Sequence, residues 1–196
     1  SVNLALANGS GSASNYSINS LTAEVTGRPV TISGSRLYDS TTTASSSILT
    51  ITSGVSGESL SLTGSGVLGA ASAGTQTITN NNTLAIADGS GGLASNYTLS
   101  GATINVTIIP RTLNVTLSRE YDGTTAVSGA SLTPTFDSLQ GGETLSLSGT
   151  GFVSTANVGS SKAVSLGSIA LVAGSGNPSN YSCLLYTSPS PRDHQP

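Results

Sequence analysis

Two Tyr-Asp pairs, Tyr38-Asp39 and Tyr121-Asp122, and two glutamates that follow glycine, Glu58 and Glu143, are the residues of this chain best suited to chemistry. An Asp beside a phenol can serve as a general base or a metal ligand. Glu58 with Asp39, or Glu143 with Asp122, could form the carboxylate dyad of a glycosidase. Each reading has a plainer competitor. A Ca2+ ion takes about six to eight oxygens, and no second carboxylate lies within ten residues of Asp39. The Asp is instead expected to cap the following turn through backbone N–H groups, while the Tyr ring covers the end of a core. The glutamates are expected to be solvated edge charges that discourage strand-to-strand pairing. Ser-His-Asp and Cys-His chemistry would need the only His and the only Cys, His194 and Cys183, and both fall in a terminal segment that reads as foreign to the rest. The chain is therefore read as a non-enzyme with no cofactor and no metal.

The elements that carry these residues repeat. Asn15-Tyr16-Ser17, Asn96-Tyr97-Thr98 and Asn180-Tyr181-Ser182 recur at spacings of 81 and 84 residues. Arg36-Leu37-Tyr38-Asp39-Ser40-Thr41-Thr42 matches Arg119-Glu120-Tyr121-Asp122-Gly123-Thr124-Thr125, and Gly57-Glu58-Ser59-Leu60 matches Gly142-Glu143-Thr144-Leu145. Three anchors in one order define a unit over residues 30–110 and a second over 111–182, with residues 1–29 as the last strands of an earlier unit. Within a unit the apolar period is two, as in Ile104, Val106 and Ile108 or Leu113, Val115 and Leu117, and Gly-rich or Asn-rich breaks separate the runs. No segment has helical periodicity with caps. The fold class predicted is all-β, as tandem small antiparallel β-sandwiches, with a β-helix or solenoid as the alternative. Units of this length can each own a core, unlike solenoid coils of roughly 20 to 45 residues. The Asn-Tyr tyrosines, Tyr16, Tyr97 and Tyr181, are read as core positions.

Composition narrows the function classes. Only 8% of the residues are charged, against about 25% in an ordinary globular domain, so the surface is one of hydroxyls and amides. A net charge of -3 with six scattered Lys and Arg offers no basic stripe, and nucleic acid is not an expected partner. No apolar run approaches the roughly 20 residues that cross a bilayer, so this segment is not expected to insert in a membrane. Lys162 is the only lysine, which excludes a Lys-to-Asn isopeptide staple shared by both units. The several Asn-X-Ser/Thr triplets are read as turn residues.

Tyr121-Asp122-Gly123-Thr124-Thr125, Gly142-Glu143-Thr144-Leu145, Asn157-Val158-Gly159 and the Asn-Tyr strand that closes on Ile109-Pro110 resemble the YDG-type repeats of very large filamentous-haemagglutinin-like bacterial adhesins. The likeness spans the chain before Cys183. It implies a secreted or cell-surface location, a stalk or spacer role and contact with neighbouring repeats of the same chain. The alternative is an adhesive module that recognises a host glycan or protein, which an exposed aromatic cluster would favour. The first unit departs from the pattern in having Ser40 where Gly123 stands in the second, a change that bears on the turn type alone.

From Cys183 the text changes character. The run Cys-Leu-Leu-Tyr-Thr-Ser-Pro-Ser-Pro-Arg-Asp over residues 183–193 resembles the translation of a transposase-type sequencing adapter, and residues 183–196 are read as a non-native read-through tail. Sequencing the gene again across this point is expected to restore a strand like Thr98 to Pro110 after Tyr181-Ser182. Recovery of Cys-Leu-Leu-Tyr-Thr-Ser would overturn that reading.

Overall fold

A computed structural model describes residues 5–183. The chain is all-β. The first unit holds β1 (Arg28–Leu37), β2 (Thr43–Ser45), β3 (Leu49–Thr52), β4 (Leu60–Thr63), β5 (Ser65–Leu68), β6 (Gly74–Asn80), β7 (Ala85–Asp88) and β8 (Tyr97–Ile109). The second repeats the pattern as β9 (Arg111–Leu113), β10 (Val115–Ser118), β11 (Ala126–Ser128), β12 (Thr133–Phe136), β13 (Leu145–Ser148), β14 (Thr150–Val153), β15 (Val164–Ser165), β16 (Ala170–Ala173) and β17 (Tyr181–Cys183). A short 3-10 turn precedes each Asn-Tyr tyrosine, at Ala13–Asn15, Ala94–Asn96 and Pro178–Asn180.

Pairings repeat as well. β1 pairs antiparallel with β3, as β10 does with β12, and β4 with β7, as β13 does with β16. In the first unit β2, β5, β6, β8, β1 and β3 lie in that order in one sheet. The expectation of purely antiparallel sheets needs correcting here, because the first and last strands of each unit run parallel. β8 lies beside β1, with Ile32 opposite Ile104 and Gly34 opposite Val106, and β17 lies beside β9. A parallel pair needs a long crossover, and the rest of the unit supplies it. The register of β1 and β8 slips between Pro29 and Thr31. Pro29 has no N–H to give the ladder, and Gly101, at φ +73°, takes up the extra residues with a backbone that a side chain would strain.

Residues 5–27 form no strand, contrary to the expected end strands of an earlier unit, and Tyr16 is 71% exposed rather than in a core. The physical reason is pairing. The matching stretch of the first unit, β8, is held by β1 and β6, and the described residues before Arg28 include no such partner strands.

Two apolar cores sit along the molecule. One is internal to the first unit, with Val30, Ile32 and Tyr97 buried against Ile51, Leu60, Leu62 and Ile86. The other joins Tyr38, Ala44, Leu68, Val106 and Ile108 of the first unit to Leu113, Leu145 and Tyr181 of the second. Units each closing a core of their own were expected. The structure instead divides each unit's apolar residues between its two ends, so that one end of the first is buried only where the second begins. Cys183 is half-buried and pairs with Leu113, and the rest of the adapter-like tail, residues 184–196, lies outside the described residues. Ile108 is 1% exposed in the shared core, so Ile108→Ala is expected to cost about 2–5 kcal/mol. Because its neighbours come from both units, urea unfolding followed by circular dichroism should show both shifting together. A shift confined to one of two separate transitions would contradict a shared core.

Candidate functional site at the junction of the repeats

The Tyr-Asp motif forms the same turn in both units. Asp39 Oδ1 accepts from Thr41 N at 2.9 Å and from Thr41 Oγ1 at 2.8 Å, and Asp122 Oδ1 accepts from Thr124 N and Thr124 Oγ1, each at 2.9 Å. Arg36 and Arg119 pair with these carboxylates, and each donates to the carbonyl of the following Thr at 2.5 Å. Burial works against the charge on Asp39, but the Thr41 N–H and hydroxyl and the Arg36 guanidinium outweigh it and hold the carboxyl below its usual range. The Thr124 N–H, Arg119 and the Thr124 hydroxyl bring Asp122 down to about 2. Both aspartates are thus held as carboxylates whose Oδ1 closes the turn that follows. Gly123 has φ +78° and Ser40 has φ +62°. Ser40 therefore occupies the left-handed region, at a strain of about 1–2 kcal/mol.

The two tyrosines of this motif part company. Tyr38 is 3% exposed, whereas Tyr121 is 65% exposed and covers no core, which corrects the reading for that residue. The difference lies in what each meets. Tyr38 enters the second unit, where its hydroxyl donates to Glu143 Oε1 at 2.5 Å. Tyr181 donates to Glu143 Oε2, also at 2.5 Å, and its ring meets that of Tyr38 edge-on with centroids 5.4 Å apart at 78°. One carboxylate thus accepts both phenols across the junction.

Other bonds lock the contact. Arg111 Nε donates to the Tyr38 carbonyl at 2.9 Å, Gln140 N donates to Tyr181 Oη at 3.0 Å, and Ala73 N donates to Asn180 Oδ1 at 2.8 Å. Asn180 is 4% exposed. At Gly141, φ +59°, an added Cβ would stand 2.7 Å from Ser40 Oγ, so the two units approach as closely as a missing side chain allows. The first unit has the same pocket at its far end, with Tyr97 donating to Glu58 Oε2.

Glu58 and Glu143 are therefore half-buried acceptors and not the solvated edge charges expected of them. Sequence reasoning missed this because the Tyr partners of Glu143 lie 105 and 38 residues away. A signal was present in the recurrence of Gly-Glu and Asn-Tyr in each unit. Glu58 is engaged with Tyr97 and Asp39 with Arg36 and Thr41, so the structure does not assemble them into a dyad. Among the described residues no three His, Cys, Asp or Glu side chains gather as metal ligands would.

An all-β chain of tandem units, each marked by a Tyr-Asp turn and linked by a Tyr and Glu clamp, is the class defined by this fold and site. The YDG domain family matches residues 23–106 and again 107–190, and the chain belongs to that family. The boundary between the two matches falls inside β8. No curated protein and no solved structure matches the chain.

Burial first, then the hydrogen bond and charge of Glu143, raise the Tyr38 phenol to about 12 from an ordinary 10.0. Tyr181 is raised by the same two causes in the same order. A pKa raised by folding means that the stability is fully present below pH 10 and is lost as the pH climbs towards about 12. Tyr38→Phe is expected to cost about 1.5–3 kcal/mol at neutral pH and to make the alkaline loss of stability shallower. Denaturant melts across that pH range check both, and an unchanged alkaline slope would refute the clamp.

Proposed function

We propose that this chain is a run of stalk or spacer repeats from a secreted or cell-surface bacterial adhesin, holding distal binding regions away from the cell. The observation that supports the reading most is the junction. An apolar core crosses it, and the Tyr38 and Tyr181 phenols close on one Glu143 carboxylate there. Only Pro110 separates β8 from β9, and proline fixes its own φ near about -65°, so few dihedrals are left to bend between units.

A spacer needs stiffness and length, and both follow from this geometry. β8 runs thirteen residues, from Tyr97 beside Glu58 to Ile109 at the junction. β1 covers the same span in ten residues, with Arg28 opposite Tyr97 and Leu37 opposite Ile109, so at about 3.3 Å per residue the unit measures roughly 30 Å, and each added unit should lengthen the rod by a similar amount. Small-angle scattering on chains of one, two and four units is expected to show a maximum dimension that grows linearly with unit number. Particles whose dimension saturates, or a single unit that binds host glycan with no change in length, would support the adhesive-module reading instead.

A further inference from the structure

The chain enters the first unit through β1 and leaves it through β8, and these two strands are neighbours that run parallel. Arg28, where β1 starts, lies opposite Tyr97, and Leu37, where it stops, lies opposite Ile109. Entry and exit therefore stand at opposite ends of one ladder. Tension along the chain draws Arg28 outward at one end and Ile109 outward at the other, so the two strands are pulled past each other along their own length. Nine paired positions, interrupted only by the slip at Pro29, oppose that slide together. In an antiparallel pair entry and exit would share one end, and tension would part the rungs one after another.

The ladder is also shielded. β1 lies between β8 and β3, and β6 flanks residues 105–108 of β8 on the other side. Val30, Ile32, Val106 and Ile108 are each at most 2% exposed and cover both halves of the pair. At Gly34, in the middle of β1, an added Cβ would stand 2.4 Å from the Ile48 carbonyl oxygen, so the next turn closes directly over the strand. A rung stretched where water cannot reach it finds no replacement partner and costs the full price of an unmade hydrogen bond. Forced unfolding is governed by the unfolding barrier, and here that barrier contains all the rungs at once. We propose that the parallel pair of β1 and β8 is a tension lock, by which the first unit carries a pulling force along the chain without unfolding. The second unit begins in the same sense, with Arg111 of β9 opposite Tyr181 of β17. Only Pro110 separates the exit of one pair from the entry of the next, so force passes directly from unit to unit. The proposal goes beyond the spacer reading, which concerns length and bending, because a stiff rod can still part under low tension.

Pulling single molecules of the full chain by two different pairs of attachment points tests it. Both variants carry Cys183→Ser, which leaves only the introduced thiols as handles. Thr26→Cys with Thr112→Cys directs the force along the ladder. Thr26→Cys with Asn96→Cys applies it just before the start of both strands and parts the same rungs in succession. All three attachment sites are exposed. At one pulling speed the first arrangement is expected to unfold in a single step, at a force several-fold above that of the second. That step should lengthen the chain by about 260 Å, because roughly 80 residues extended at about 3.6 Å each replace a ladder of roughly 30 Å. Far-UV circular dichroism checks the fold of both variants, and Ser95→Cys replaces Asn96→Cys if that variant unfolds. Equal forces in the two arrangements, a lower force along the ladder, or gradual lengthening without a step would each overturn the proposal.

Discussion

A carboxylate withdrawn from water must be met by donors, and Glu143 is met by two phenols that arrive from different repeats. Burying such a group without partners would cost several kcal/mol. Satisfying it requires Tyr38 and Tyr181 to reach the same point, and that requirement sets how the second unit sits on the first. The edge-on contact of the two rings then follows from the convergence of both hydroxyls on one acid.

The strand layout serves that contact. β1 ends in Leu37, one residue before Tyr38, and β8 ends beside it, where Tyr38 N donates to the Ile109 carbonyl at 2.9 Å. Running parallel, the first and last strands of the unit finish together at the junction. One brings the tyrosine and the other brings Val106 and Ile108 beneath it. An antiparallel pair would send these two ends in opposite directions. The strained backbone of Ser40 belongs to the same arrangement, since the turn it completes aims Tyr38 into the next unit and leaves room only for Gly141 opposite.

Because the core is shared, the repeats stand between two familiar architectures. They are longer than solenoid coils and keep an apolar cluster of their own around Val30, Ile32 and Tyr97. They also resemble solenoids in needing a neighbour to cover one end. Stability in such a chain contains a term for each unit and a term for each junction, and the junction term here has an apolar part and a hydrogen-bonded part that act at the same residues.

The sequence by itself determined the all-β class and the repeat, because period-two alternation and the three recurring anchors are local and survive any arrangement of the strands. It also made the Tyr-Asp turn legible, since Asp39 and Thr41 are two residues apart and their hydrogen bond needs nothing else. Only the tertiary structure decided that Tyr38 and Tyr121, which sit in the same Tyr-Asp turn, have opposite fates, since burial depends on what lies opposite and not on neighbours in the chain. For the same reason Glu143 could not be told from a solvated edge charge until tyrosines from two distant segments met on it, and the parallel pairing of β1 with β8 could not be read from two strands whose alternation carries no direction.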